Sequence, residues 1–79
     1  MPQEHVIRIP FSELFRRSIN GKLVTKEPLF INGIHLVKDT PLPRDKLVAG
    51  IDFYDKTGWD VAAVKRSDGV FVIRGFFVS

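Results

Sequence analysis

The apolar positions of this chain follow different periods in its two halves, so the halves are read separately. His5-Val6-Ile7-Arg8-Ile9 alternates apolar and polar residues as a half-buried strand does, and Pro10 ends the run. Phe11, Leu14, Phe15 and Ile19 then recur at helical spacing, with Ser12 as a candidate N-cap. Asn20-Gly21 supplies the residue types that close a helix in a left-handed turn. The pattern predicts a short helix near 12–19, about two turns long, which would need a sheet to pack on. Leu23-Val24-Thr25 and Leu29-Phe30-Ile31 are short strand candidates separated by Pro28. Asn32-Gly33, between Leu29-Phe30-Ile31 and Ile34-His35-Leu36-Val37, is a two-residue hairpin signal. Pro41 and Pro43 mark an extended loop over 38–45 that cannot join a ladder on both sides.

The second half reads as a meander of three strands, 46–55, 59–66 and 70–78. The joints Lys56-Thr57-Gly58 and Ser67-Asp68-Gly69 each have three residues with glycine last, which suits a turn closed by a left-handed bulge. With Asp55 opposite Trp59 and Arg66 opposite Val70, one face collects Leu47, Ala49, Ile51, Phe53, Trp59, Val61, Ala63, Phe71, Ile73 and Phe77. That face is the expected core. The opposite face mixes Val48, Asp52, Tyr54, Asp60, Ala62, Val64, Arg66, Val72, Arg74 and Phe76, and puts Asp52, Ala62 and Arg74 in one row. An exposed Asp52–Arg74 ion pair across Ala62 would contribute about 0–1 kcal/mol.

The expected fold is α+β: a small twisted antiparallel sheet centred on the 46–78 meander, with one short helix. A small open barrel of the SH3 kind is the alternative. Seventy-nine residues, 44% hydrophobic and 27% charged, make a single domain over 1–79 with one core. The chain has no cysteine, so disulfides, thiolate zinc sites and thiol catalysis are not expected, and a reducing, cytoplasmic setting is. No apolar run approaches the roughly 20 residues of a membrane span. Residues 1–9 lack the basic start and apolar run of a signal peptide.

A net charge of +3 is a weak electrostatic pull toward nucleic acid. Arg16, Arg17 and Lys22 cluster at the expected helix end, where Arg17 and Lys22 would also suit the helix dipole. Arg44, Lys46, Lys65, Arg66 and Arg74 add further basic points, and Tyr54 and Phe76 are the candidate exposed aromatics. Arg16, Arg17, Lys22, Tyr54, Arg66, Arg74 and Phe76 are therefore the candidate partner-binding residues.

No catalytic, metal or cofactor site is expected from the pattern. His5 and His35 stand thirty residues apart without a companion ligand or nucleophile. Ser12, Ser18 and Ser67 have no base at a recognisable spacing, and the glycines are scattered rather than gathered into a phosphate loop. Asp55 and Asp68 occupy turn positions that favour aspartate. The stretch Leu47-Val48-Ala49-Gly50-Ile51-Asp52, followed by Asp60-Val61-Ala62-Ala63-Val64, resembles the opening hairpin of RNase H-like nucleases such as phage terminase nuclease domains. The resemblance implies a Mg²⁺-binding role for Asp52, to be completed by several further carboxylates.

Three function classes follow. The first, reached by elimination, is a small non-enzymatic protein-interaction module. Phage and mobile-element proteins that bind and inhibit host machinery, anti-CRISPR proteins among them, are of this kind. A basic nucleic-acid-binding domain is the second class and an RNase H-like nuclease fragment the third. Residues 70–78 carry Arg74 as their one charge and close the expected meander, which predicts an edge that either pairs with Val6 to Ile9 within the chain or stays open for a homodimer or a partner strand.

Overall fold

A computed structural model describes residues 5–77. Seven strands and one short helix follow in chain order: β1 (Ile7–Pro10), α1 (Phe11–Leu14), β2 (Phe15–Arg17), β3 (Leu23–Thr25), β4 (Leu29–Ile31), β5 (Ile34–Leu36), β6 (Asp60–Lys65) and β7 (Phe71–Phe77). A 3₁₀ helix, Phe53–Lys56, precedes β6. Five strands form a mixed sheet in the order β1-β6-β7-β4-β5, and β2 and β3 form a separate pair. The fold is thus small, mostly β and of the α+β kind. Among the described residues no closed barrel forms, and no helix is long and apolar enough to cross a membrane.

Where the sequence specifies turns locally, the strands follow. Asn32 and Gly33 both take positive φ, 47° and 82°, the pair of angles a two-residue hairpin turn needs. Leu29 consequently faces Leu36, and Ile31 faces Ile34. Gly69, at φ 87°, closes the three-residue turn between Arg66 and Val70, which hydrogen-bond at 2.8 Å. From there β6 and β7 keep the expected register as far as Ala63 opposite Ile73. β1 pairs antiparallel with β6, Ile7 facing Ala63 and Ile9 facing Val61, so its alternation turns both isoleucines toward the core.

Four expectations are corrected. First, residues 12–19 do not form a helix. The helix lasts from Phe11 to Leu14, Pro10 occupies its N-cap and Ser12 caps nothing. Phe15–Arg17 turns extended and pairs with Leu23–Thr25. Asn20-Gly21 therefore turns a hairpin, with Ser18 and Lys22 bonded across it at 2.8 Å and Gly21 at φ 83°. Ile19, expected on the buried helical stripe, stands fully exposed at the hairpin tip.

Second, 46–55 is not a strand of the sheet. Ala49 and Gly50 both take positive φ, 53° and 78°, so Val48 and Ile51 bond to each other at 2.9 Å in both directions. Asp52 then accepts from the Tyr54 backbone N–H and starts the 3₁₀ helix. Leu47, expected in the core, is 64% exposed. Trp59, expected to be deeply buried, is half-buried, with the Lys56 ammonium 4.5 Å from its ring. The strand that carries the resemblance to RNase H-like nucleases is accordingly replaced by a turn and a cap.

Third, Arg74 bulges out of β7. Ala63 faces Ile73 but Ala62 faces Gly75, so the pairing shifts by one residue between them. Because side chains alternate, one extra residue exchanges the faces of everything after it. Phe76 turns to the core side, in edge contact with Phe53 at 5.9 Å, while Phe77 turns out and is 38% exposed. The row Asp52–Ala62–Arg74 does not exist; Arg8 of β1 occupies the place beside Ala62, and its Nε binds Asp60 at 2.6 Å.

Fourth, β7 is not an edge strand at its start: in strand order it lies between β6 and β4, and β4 flanks Phe71 and Val72. β4 runs parallel to it and pairs with Phe71 and Val72, so the sheet is mixed, not antiparallel throughout. The outermost strands are β1 and β5. Val78, the last residue of the expected edge, lies outside the described residues.

The core joins both sheets. Leu14, Phe15, Leu23, Leu29, Ile31, Leu42, Phe53, Val61, Ala63 and Ile73 are all buried in one cluster. Residues 39–42 run beside β3: the Thr25 N–H donates to the Thr40 carbonyl, and the Thr25 and Leu23 carbonyls accept from the Asp39 and Leu42 N–H groups, so the expected proline loop is paired on one side. Thr25, the buried polar residue of the core, is satisfied: its Oγ1 donates to the Val37 carbonyl at 2.8 Å and accepts from the Thr40 N–H at 2.9 Å.

Candidate functional site

The end of β1, the short helix and Thr57, which follows the 3₁₀ helix, meet along a groove. Phe11 leaves Pro10 in a helical turn and stacks on Phe15 with ring centroids 4.4 Å apart. Phe15 in turn contacts Phe53 at 5.3 Å, which brings the 3₁₀ helix under the hairpin. Phe11, Phe15 and Leu23 floor a cavity of about 340 Å³ that Arg16, Arg17 and Lys26 also line. A second cavity of about 330 Å³, lined by Pro10, Trp59 and Asp60 among others, shares Phe11, Ser12 and Thr57 with the first. The two adjoin through these shared residues along a groove that is basic at the hairpin end and bears the Asp60 carboxylate at the other.

The three cations are held differently. Arg16 meets Asp39 at 3.6 Å, a loose and exposed pair worth little. Lys26 donates to the Ser12 carbonyl at 3.1 Å, across the groove wall. Arg17 donates to the Gly21 carbonyl at 2.9 Å, and Arg44, from the loop after Pro43, donates to that same oxygen at 2.9 Å. Both guanidinium groups also stand 5.9 Å from the Tyr54 ring centre. Two cations so placed repel by about 1 kcal/mol through water, a cost offset by their shared carbonyl and ring.

Tyr54 is the pivot of this end. Its hydroxyl accepts from the Leu23 N–H at 2.9 Å and donates to the Leu42 carbonyl at 2.7 Å, which fixes the ring between the hairpin and the 40–42 segment. Gly21 sits at φ 83°, where glycine is favoured, and a Cβ there would displace the end of the Arg44 side chain from its bond to the Gly21 carbonyl.

Of the residues expected to bind a partner, the fold gathers Arg16, Arg17 and Tyr54 at the basic end of the groove, with Lys22 on the same hairpin. Arg66 is instead held by Asp68 at 2.8 Å in the β6–β7 turn. Arg74 stands at the bulge, and Phe76 packs inward, so neither lines the groove. Sequence reasoning did not select Lys26 or Thr57, nor Arg44 as Tyr54's neighbour. The helical reading of 12–19 hid the hairpin that brings these residues together.

Neither exposed histidine joins a cluster, and Asp52 is engaged at the 3₁₀ N-terminus. Among the described residues no three or more His, Cys, Asp or Glu side chains converge as metal ligands. Comparison with protein-family models, with curated proteins and with solved structures gave no match to this chain.

Proposed function

We propose that this chain is a small, non-enzymatic binding module of the cytoplasm that captures an extended acidic segment of a protein partner in the groove beside α1. One observation carries this reading: three cations, Arg16, Arg17 and Lys26, surround an apolar floor of Phe11, Phe15 and Leu23, and no carboxylate lines that cavity. The partner's carboxylates would meet the cations at the rim, and its apolar side chains would cover only the narrow strip that Phe11, Phe15 and Leu23, each 5% exposed or less, leave open. Blocking of host machinery by a phage or mobile-element protein, the setting expected from the sequence, would be one use of such capture.

The test is fluorescence polarisation with a labelled peptide alternating Asp or Glu with Leu or Phe, against a matched peptide bearing Lys in place of the acids. Saturable binding of the acidic peptide, weakened five- to tenfold in a Arg16→Gln, Lys26→Gln double variant, supports the groove. Equal binding of both peptides, or no effect of the variant, overturns it.

Nucleic-acid binding is the second reading, favoured by Arg17 and Arg44, which have no carboxylate within ion-pairing distance among the described residues. Against base stacking, Tyr54 is covered by both guanidinium groups, Phe77 by that of Arg8 at 4.5 Å and Trp59 by Lys56.

A further inference from the structure

We propose that Arg17 and Arg44 form a receptor for a phosphate dianion at the tip of the β2–β3 hairpin, a site that stands whether or not the neighbouring groove takes a peptide. The reason is the convergence of two guanidinium groups on one point. Each nitrogen is 2.9 Å from the Gly21 oxygen, so the two lie no more than twice that, 5.8 Å, apart. The Gly21 oxygen takes the point between them, so an anion would lie outside that carbonyl and be met by the N–H groups it leaves unused.

Each guanidinium carries five N–H donors, and the bond to Gly21 uses one. The remaining donors form two planar forks of the kind that take phosphate oxygens in pairs. The forks are held in advance, since the Tyr54 ring lies beside both and is itself fixed by the Leu23 and Leu42 backbone. Preformed donors lose little freedom on binding. Among the described residues no carboxylate neutralises either arginine, so the site carries two uncompensated positive charges.

Charge matching selects the ligand class. A phosphate monoester is close to a dianion at neutral pH and inorganic phosphate is divided between monoanion and dianion, whereas a phosphodiester or a carboxylate brings one charge. The phosphate group is therefore favoured over a nucleic-acid backbone. It could be carried on a phosphorylated side chain or be free in solution.

The experiment titrates the full chain with inorganic phosphate, capped phosphoserine and dimethyl phosphate at constant ionic strength, following the guanidinium and Tyr54 resonances by NMR. Saturable shifts with inorganic phosphate are expected, with dimethyl phosphate at least fivefold weaker. Arg17→Gln and Arg44→Gln should each weaken phosphate binding about tenfold, and Arg66→Gln, in the distant turn, less than twofold. Arg44→Lys, which keeps the charge and loses the fork, should fall between. Affinity for capped phosphoserine should drop as pH falls below about 6, where the phosphate takes up its second proton. Fivefold tighter binding of capped phosphoserine than of inorganic phosphate assigns a phosphorylated side chain, and equal binding assigns the free ion. Linear, unsaturable shifts, equal response to dimethyl phosphate, or equal loss in Arg66→Gln overturns the site.

Discussion

The Tyr54 hydroxyl donates to the Leu42 carbonyl at 2.7 Å, and through that bond the 3₁₀ helix holds the proline-rich segment against the β2–β3 hairpin. The same oxygen accepts from the Leu23 N–H, so one side chain satisfies a donor and an acceptor on two different segments. Removing it should leave both groups without a partner. Tyr54→Phe is expected to cost about 1–3 kcal/mol. Urea unfolding followed by tryptophan fluorescence measures it; a loss under 0.5 kcal/mol would mean that water replaces both bonds.

The bulge at Arg74 makes a pair of adjacent substitutions diagnostic. Phe76 faces the core side and Phe77 the outer face. Phe76→Lys should destabilise by more than about 2 kcal/mol, because it places a charge against Phe53, while Phe77→Lys should cost under about 1 kcal/mol. The reverse order would mean an unbulged strand, with Phe77 in the core.

Core truncations should rank by burial rather than by ring size. Phe53 is 2% exposed, and Phe53→Ala is expected to cost about 3–5 kcal/mol, enough to unfold much of a domain this small. Trp59 is half-buried beneath Lys56, so Trp59→Ala should cost less than Phe53→Ala. Thermal melts of the two variants compare them directly.

Ala49 sits at φ 53°, in the left-handed region that a β-carbon disfavours. Its carbonyl accepts from the Asn32 side chain at 2.9 Å, which ties this turn to the β4–β5 hairpin. Ala49→Gly keeps that carbonyl and relieves the strain, and is expected to raise stability by about 0.5–1 kcal/mol. A lower melting temperature in this variant would contradict the assigned turn.

Nucleic acid is tested by salt. If Arg17, Arg44 and Lys22 contact phosphates, binding of a labelled duplex or single strand should weaken steeply between 50 and 200 mM salt. Absence of binding at micromolar protein and low salt removes that class.

The sequence by itself determined the elements whose signals are local. Ile7 and Ile9 alternate with Arg8 whatever lies beyond them, and β1 turns both isoleucines inward. Asn32-Gly33 and Ser67-Asp68-Gly69 set their hairpins because left-handed backbone is cheap at glycine and asparagine, and the register to Ala63 opposite Ile73 follows from the second of them. The identities of Val61, Ala63 and Ile73 as core were legible for the same reason, whereas Phe53 is buried from a 3₁₀ helix rather than from the strand expected over 46–55. What the tertiary structure decided are choices with two local solutions. Asn20-Gly21 can end a helix or turn a hairpin, and Phe15 is buried in either case, so the pairing of Phe15 with Thr25 settled it. Residues 46–55 have the alternation of a strand, but β1 occupies the side of β6 where that strand would lie. The bulge at Arg74 leaves no mark in the alternation; it appears once Phe76 packs on Phe53. The basic end of the groove belongs to this second kind, because Arg17, Arg44 and Tyr54 meet through the hairpin and the 3₁₀ helix, far apart in sequence. Local turn chemistry fixes φ and ψ over a few residues, whereas competition among strands for one partner is resolved only by the packing of the whole chain.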